Sequence, residues 1–431
     1  MIKIMRSSEL PVEKIIERCT ADTSRAAQTV SEIIKDVRAN GDEALRRFAR
    51  EFDGAELGAI EVSDAEIEEA FANTDKRLLE IMEEAKANIY SYHKRQVRNN
   101  FVIDDKDGII LGQLVMPIAR VGLYVPGGTA SYPSSVLMNC IPAKIAGVEE
   151  IYMITPPSAD GKISPVILAA AKLAGVDKIY KSGGAQAIAA LAYGTETVQK
   201  VDKIVGPGNI FVAEAKRMVY GTVDIDMIAG PSEILVLADG TCNPEVVAAD
   251  LLSQAEHDKM ATAILITDSE SLAEETAKEL ERQLGLLPRR EIAGASIENN
   301  GKIIITSDMH EAIRISNEIA PEHLEVCVDN PFEYLSEIKN AGSIFLGKNC
   351  PEALGDYFSG TNHTLPTSGT ARFSSPLSVD DFVKKSAFSY YSEAALGRVC
   401  EKVAYFAEQE GLSAHARSAT VRFEKKADES K

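Results

Sequence analysis

Four of the six histidines stand among other side chains that can bind a metal or move a proton. Gln254 and His257 lie three residues apart in LLSQAEHD, a spacing that predicts one shared helical face and donors close enough for a single ion. Glu322 and His323 are adjacent, just ahead of a predicted strand over 325–328. Two groups that titrate within reach of one substrate suit general acid–base work. Asp356 and His363 close a glycine-rich loop, GDYFSGTNH, too polar for a core, and Glu410 and His415 frame EGLSAH near the end of the chain. A His–Gln–Asp–His set gathered from such distant segments gives nitrogen and oxygen ligands that suit zinc without a thiolate. Taken alone, each histidine fits a helix cap or a solvated surface equally well, and glutamine is an uncommon zinc ligand. His93 and His310 sit in ordinary charged surroundings and receive no role.

The six cysteines, Cys19, Cys140, Cys242, Cys327, Cys350 and Cys400, are scattered and form no CxxC pair. That pattern predicts reduced, mostly buried thiols rather than disulfides or a thiolate metal site. None falls in the histidine-bearing clusters as a candidate nucleophile.

Three glycine turns follow predicted strands: Pro126-Gly127-Gly128, Ser182-Gly183-Gly184-Ala185-Gln186 and Gly206-Pro207-Gly208-Asn209. Glycine lets a ligand approach the backbone, and a helix N-terminus offers unpaired N–H groups to phosphate. None of the three is a full dinucleotide fingerprint, because the third small residue is missing after Gly206 and Gly208. Each reads equally as plain turn punctuation.

The elements that must position these residues are short apolar runs separated by helical stretches. Runs at 121–125, 151–154, 178–180 and 203–205, spaced near the roughly thirty residues of a βαβ unit, form one series. Runs at 234–237, 263–266, 303–305, 325–328 and 344–346 form a second. Continuous apolar runs mark strands buried on both faces of a parallel sheet. The expected fold class is α/β, with two doubly wound, incompletely Rossmann-like lobes. A helical N-terminal segment precedes them, since 64–98 carries apolar residues at helical spacing, and a helical C-terminal arm follows Pro376 through 379–407.

Length and charge narrow the rest. A chain of 431 residues exceeds one compact core. A net charge of −19 argues against nucleic acid or an anionic membrane as partner. No run of apolar residues reaches transmembrane length, and the start lacks the apolar stretch of a secretory signal, so a cytoplasmic location is expected.

Seven motifs in order, GLYVPGG at 122–128, GGAQAIA at 183–189, GPGN at 206–209, AGPSE at 229–233, 250–257, PEHL at 321–324 and GTNH at 360–363, resemble histidinol dehydrogenases over about residues 20–422. The resemblance implies an NAD-dependent, two-step oxidation of L-histidinol to L-histidine through histidinaldehyde, the last step of histidine biosynthesis. It implies one zinc ion per subunit on Gln254, His257, Asp356 and His415, and Glu322 with His323 as the catalytic pair. Ser232, His363 and Glu410 would touch substrate, together with the metal ligands and His323, and Tyr124, Gln186 and Asn209 would touch NAD. It further implies a homodimer with exchanged C-terminal arms, so that Glu410 and His415 come from the neighbouring subunit. The expected division is an N-terminal arm at 1–20, a first lobe at 21–123 and 232–376 holding metal and catalytic residues, a second lobe at 124–231 holding NAD, and a C-terminal arm at 377–431. Rival readings are a relative acting on another polar alcohol such as a sulfonated diol, a zinc hydrolase with Glu322 activating water, and a metal- or nucleotide-binding module without activity.

Overall fold

The computed structural model describes residues 2–9, 23–127 and 131–424. Much of the expected N-terminal arm, Cys19, Gly128 and the residues beyond 424 therefore lie outside the described residues. The described residues divide into two units, 1–97 with 118–382, and 98–117 with 383–431.

The larger unit holds two parallel sheets. One has six strands in the order Lys3–Arg6, Lys302–Ile305, Thr262–Thr267, Glu233–Ala238, His323–Cys327 and Ser343–Leu346. Its central strand Glu233–Ala238, EILVLA, is buried at every position, which explains why it reads as an unbroken apolar run. Two apolar layers flank the sheet, one built on Val247, Leu251 and Leu272, the other on Met309, Ile313 and Ile319. The edge strand Lys3–Arg6 comes from the segment expected to be an arm. Its alternation is too short to announce a strand.

The other sheet has five strands in the order Lys178–Lys181, Glu150–Thr155, Arg120–Tyr124, Lys203–Val205 and Asp224–Ile225, all parallel. The chain reverses direction across this sheet between Arg120–Tyr124 and Lys203–Val205. The helices of the N-terminal segment, Thr23–Phe48, Asp64–Asn73 and Lys76–His93, share their cores with this five-stranded sheet. Ser63 and Glu66 make a reciprocal capping box at the second of these, as their spacing dictates. The two α/β sheets and the helical N-terminal segment are as expected, but that segment and strand Arg120–Tyr124 belong with the five-stranded sheet rather than, as expected for 21–123, in one lobe with 232–376.

The smaller unit is an antiparallel sheet of Phe101–Lys106, Ile109–Pro117 and Val383–Tyr391, followed by helices Glu393–Gly397, Cys400–Gln409 and Ser413–Thr420. The arm expected to be helical through 379–407 therefore contains a nine-residue strand. Asp107-Gly108, with Gly108 at φ +75°, makes the two-residue hairpin turn between the first two strands, a dipeptide suited to that geometry. No helix among the described residues is long and apolar enough to cross a membrane.

Candidate active site

The catalytic candidates sit at the start of a central strand, clipped to one neighbouring residue. The strand His323–Cys327 begins at His323, two residues earlier than the apolar run suggested, and follows the left-handed residue Ala320 that ends helix Met309–Ile319. Glu322 Oε2 accepts a hydrogen bond from the Glu233 N–H at 2.8 Å. His323 Nδ1 lies 3.0 Å from the Glu233 carbonyl oxygen. A carbonyl can only accept, so Nδ1 carries the hydrogen and the neutral ring's lone pair is on Nε2. That Nε2 is buried and has no hydrogen-bond partner. Phe345 stacks on the ring at 6.1 Å between centroids. Burial chiefly holds the His323 imidazole below its ordinary value, with His257 near enough to push the same way. Burial likewise raises Glu322 well above the usual carboxylate range. The result is a neutral, directed base beside a strongly basic carboxylate.

Around Nε2 the structure gathers Gln254, Glu352, Asp356 and His363. Gln254 is the next-to-last residue of helix Pro244–Ala255 and is 1 % exposed. Its Nε2 donates to Glu352 Oε1 at 2.6 Å, and its Oε1 is buried without a partner. Asp356 Oδ1 lies 3.9 Å from His323 Nε2 and 3.8 Å from His363 Nδ1. Burial first, and then Glu352, push the Asp356 carboxyl well above its ordinary range. Candidate ligand atoms of His323, Glu352 and Asp356 all lie within 4.8 Å of one another. His363 donates from Nδ1 to the Asp356 carbonyl at 3.1 Å and meets Ser135 Oγ through Nε2 at 3.3 Å. Burial lowers its pKa to about 4.

His257 corrects one expectation. The regular helix ends at Ala255, short of the helical face expected to carry both Gln254 and His257; His257 stands exposed in the turn beyond, its N–H on the Gln254 carbonyl at 3.1 Å. Ser232 is half-buried directly before Glu233. Glu410 and His415 belong to the smaller unit, where both are exposed. Sequence reasoning missed Ser135 and Glu352. The signal for Glu352 was its spacing of four from Asp356, which puts both on one helical face. Ser135 offered none.

This cluster fits a divalent metal. Gln254 Oε1 is a buried lone-pair atom without a partner, in a cluster that offers carboxylate oxygens and no sulfur, the hard-to-borderline donor chemistry of zinc, and the lone pair of His323 Nε2 is left for a proton. Burial pushes Cys140 up to about 12 and Cys242 up to about 11, against a role for either as a thiolate nucleophile.

A second site lies at the opposite kind of sheet edge, where the strands of the five-stranded sheet end. A cavity of about 650 Å³ opens there, lined by Tyr124, Gln186 and Asn209 and by Phe52, Asp53 and Pro126. It straddles the reversal between Arg120–Tyr124 and Lys203–Val205, the crevice where open α/β sheets bind ligands. Helices Gly184–Tyr193 and Ile210–Val219 both start at it. Tyr124 Oη accepts from the Gly184 N–H at 3.1 Å, and Asn209 Oδ1 caps its helix by accepting from Phe211 and Val212. Gly206 holds φ +115° and packs so tightly that a side chain there would run into the Tyr124 carbonyl. Volume, location and two helix N-termini fit a dinucleotide.

Comparison with known proteins agrees. The family model for histidinol dehydrogenase matches residues 16–423. A histidinol dehydrogenase of Clostridium acetobutylicum is 56% identical over 98% of this chain and 99% of its own. One from Listeria monocytogenes is 56% identical over 97% of each. The crystal structure of histidinol dehydrogenase from Elizabethkingia anophelis superposes with a TM-score of 0.93 at 40% identity, covering 98% of both chains.

Proposed function

The chain belongs to the histidinol dehydrogenase family, and from that premise we propose how its site performs the reaction, the oxidation of L-histidinol to L-histidine through the aldehyde that ends histidine biosynthesis. Gln254, His257 and Asp356, with His415 from the neighbouring subunit of an arm-exchanged homodimer, hold one zinc ion. Glu322 and His323 do the proton chemistry. Ser232, His363 and the neighbour's Glu410 bind the substrate, and Tyr124, Gln186 and Asn209 bind NAD. In this reading the metal and catalytic groups fall in 232–376 and the dinucleotide contacts in 124–231, with an exchanged arm within 377–431. The single observation that carries this reading is the pair of buried, unpartnered acceptors, His323 Nε2 and Gln254 Oε1, in one side-chain cluster with Glu352 and Asp356.

Zinc, when bound, supplies a Lewis-acid anchor for a substrate that carries an imidazole and an amine. NAD, when bound, would supply the hydride acceptor, one molecule for the carbinol carbon and a second for the hydrated aldehyde. His323 Nε2 takes the proton of the carbinol hydroxyl in the first step, its Nδ1–H staying on the Glu233 carbonyl throughout. Glu322, kept basic by burial, takes a proton from the water that adds to the aldehyde. Both side chains are anchored to the two ends of the Glu233 backbone, so neither needs to reorganise between steps.

The test separates the two oxidations. NADH formation from histidinol and from histidinaldehyde is followed for Glu322→Gln and His323→Gln. Glu322→Gln is expected to slow aldehyde oxidation by about 10²- to 10⁴-fold while leaving alcohol oxidation within a few-fold, and His323→Gln to slow the first step by a similar factor. A Glu322→Gln enzyme that lost only alcohol oxidation would reverse the assignment. Chelation should abolish both steps, and zinc restore them.

A further inference from the structure

Glu352 has no role in the reading above, yet both oxygens of its carboxylate accept hydrogen bonds from neighbouring side chains. It is 2 % exposed and begins the short helix Glu352–Tyr357. Oε1 accepts from Gln254 Nε2 at 2.6 Å, Oε2 accepts from Ser253 Oγ at 2.7 Å, and its backbone N–H donates to Glu325 Oε1 at 2.6 Å. A glutamine amide has one donor end and one acceptor end of nearly equal shape, and its neighbours decide which way round it lies. A carboxylate can only accept. With Glu352 receiving the NH₂ end, the Gln254 oxygen is turned away from Glu352, and there it is buried without a partner.

We propose that Glu352 is a positioning residue for the metal, one that fixes the Gln254 amide so that Oε1 faces the ion without itself being a ligand. Each of its oxygens accepts a hydrogen bond, Oε1 from Gln254 and Oε2 from Ser253, while Asp356 one turn further on presents Oδ1 to His323 and His363. Partners that orient a ligand in this way typically govern about ten- to a hundredfold in metal affinity. A glutamine is a weak zinc ligand, so its orientation matters more than that of a symmetric carboxylate, in which either oxygen serves.

The inference rests on Gln254 being a ligand, and the experiment keeps the two claims apart. Zinc affinity of the intact protein is measured by competition with a chromophoric chelator, alongside KM for NAD. Glu352→Met removes the acceptor at similar volume and is expected to weaken zinc about ten- to a hundredfold, with KM for NAD unchanged within twofold. The exchange Gln254→Glu with Glu352→Gln reverses the polarity of the same hydrogen bond, keeps the net charge and still leaves a carboxylate oxygen toward the pocket. It is expected to bind zinc within about threefold of the parent. Parental affinity in Glu352→Met overturns the proposal. So does an exchanged protein as weak as Glu352→Met, which would make the Glu352 carboxylate itself the requirement; if Glu352→Met fails to fold, the exchange alone decides. Gln254→Leu tests the underlying reading, since parental zinc affinity in that variant would remove Gln254 from the ligand set.

Discussion

Replacing Lys216 by methionine should unseat the loop that carries Asn209. The Lys216 ammonium is 2% exposed and pairs with an Asp226 carboxylate that is 1% exposed. It also donates to the Gly206 carbonyl at 3.0 Å, while Asp226 accepts from the Gly206 N–H at 2.7 Å and the Met227 N–H at 2.6 Å. The ion pair therefore grips both polar groups of Gly206, the residue at φ +115° against Tyr124. Methionine fills the same volume but offers no donor. It leaves a buried carboxylate with backbone donors alone and a buried carbonyl with none. Removing one partner of such a pair costs about 3–5 kcal/mol, of which the lost carbonyl bond accounts for about 1 kcal/mol. Adding Asp226→Asn removes the stranded charge and keeps an acceptor for the Gly206 N–H, so about 1–3 kcal/mol should return. Because Asn209 caps helix Ile210–Val219 from this loop, KM for NAD should rise about tenfold for each 1.4 kcal/mol of misplacement, with zinc content unchanged. Urea denaturation of the parent, the single and the double variant, with KM for NAD on each, is the assay. The reasoning fails if Lys216→Met lies within about 0.5 kcal/mol of the parent, or if the double variant is no more stable than the single one.

Two further outcomes follow from charge and burial. Burial holds His323 below its ordinary value and raises Glu322 above its own, so alcohol oxidation should decline only as pH falls below about 6.5, whereas aldehyde oxidation should climb along a limb well above pH 4.5; single-turnover pH profiles from each substrate check this, and an aldehyde step that is level down to pH 5 contradicts it. Asp53 on the cavity wall has a buried, unpartnered Oδ2, and burial lifts its carboxyl to about 6. The folded state then binds the proton more tightly than the unfolded chain, so stability drops as pH rises from about 3.8 to 6 and does not recover above. With the solvent-facing part of the group discounted, Asp53→Asn should gain about 1–2 kcal/mol in urea at pH 8 and nothing at pH 4. An equal gain at both pH values would assign the effect to packing instead.

What the sequence disclosed and what it hid divide along a physical line. Strands such as Glu233–Ala238 are covered on both faces, so their continuous apolar runs announce them. The strand Val383–Tyr391, VKKSAFSYY, is mostly exposed and pairs with Ile109–Pro117 some 270 residues earlier, so neither apolar continuity nor local pairing marks it. Gln254 and His257 have the right spacing for one helical face, but the helix stops between them, because helix ends are set by capping and tertiary contact rather than by the period of the side chains.

The same line runs through the active site. Side chains that do chemistry stand in recognisable strings, PEHL at 321–324 among them, whereas the groups that aim them do not. Glu322 and His323 are directed by the N–H and carbonyl of Glu233, about ninety residues away in the chain, through backbone atoms that any residue would supply. Gln254 is directed by Glu352, 98 residues away, a glutamate whose spacing of four from Asp356 ties it to that residue but not to Gln254. Orientation here is a property of the sheet, which sets the starts of two adjacent parallel strands beside each other, His323 opposite Ile234, the residue after Glu233. A substitution that preserves every candidate ligand but shifts that register would thus keep the motif and lose the base, since Nε2 is free only while Glu233 holds Nδ1.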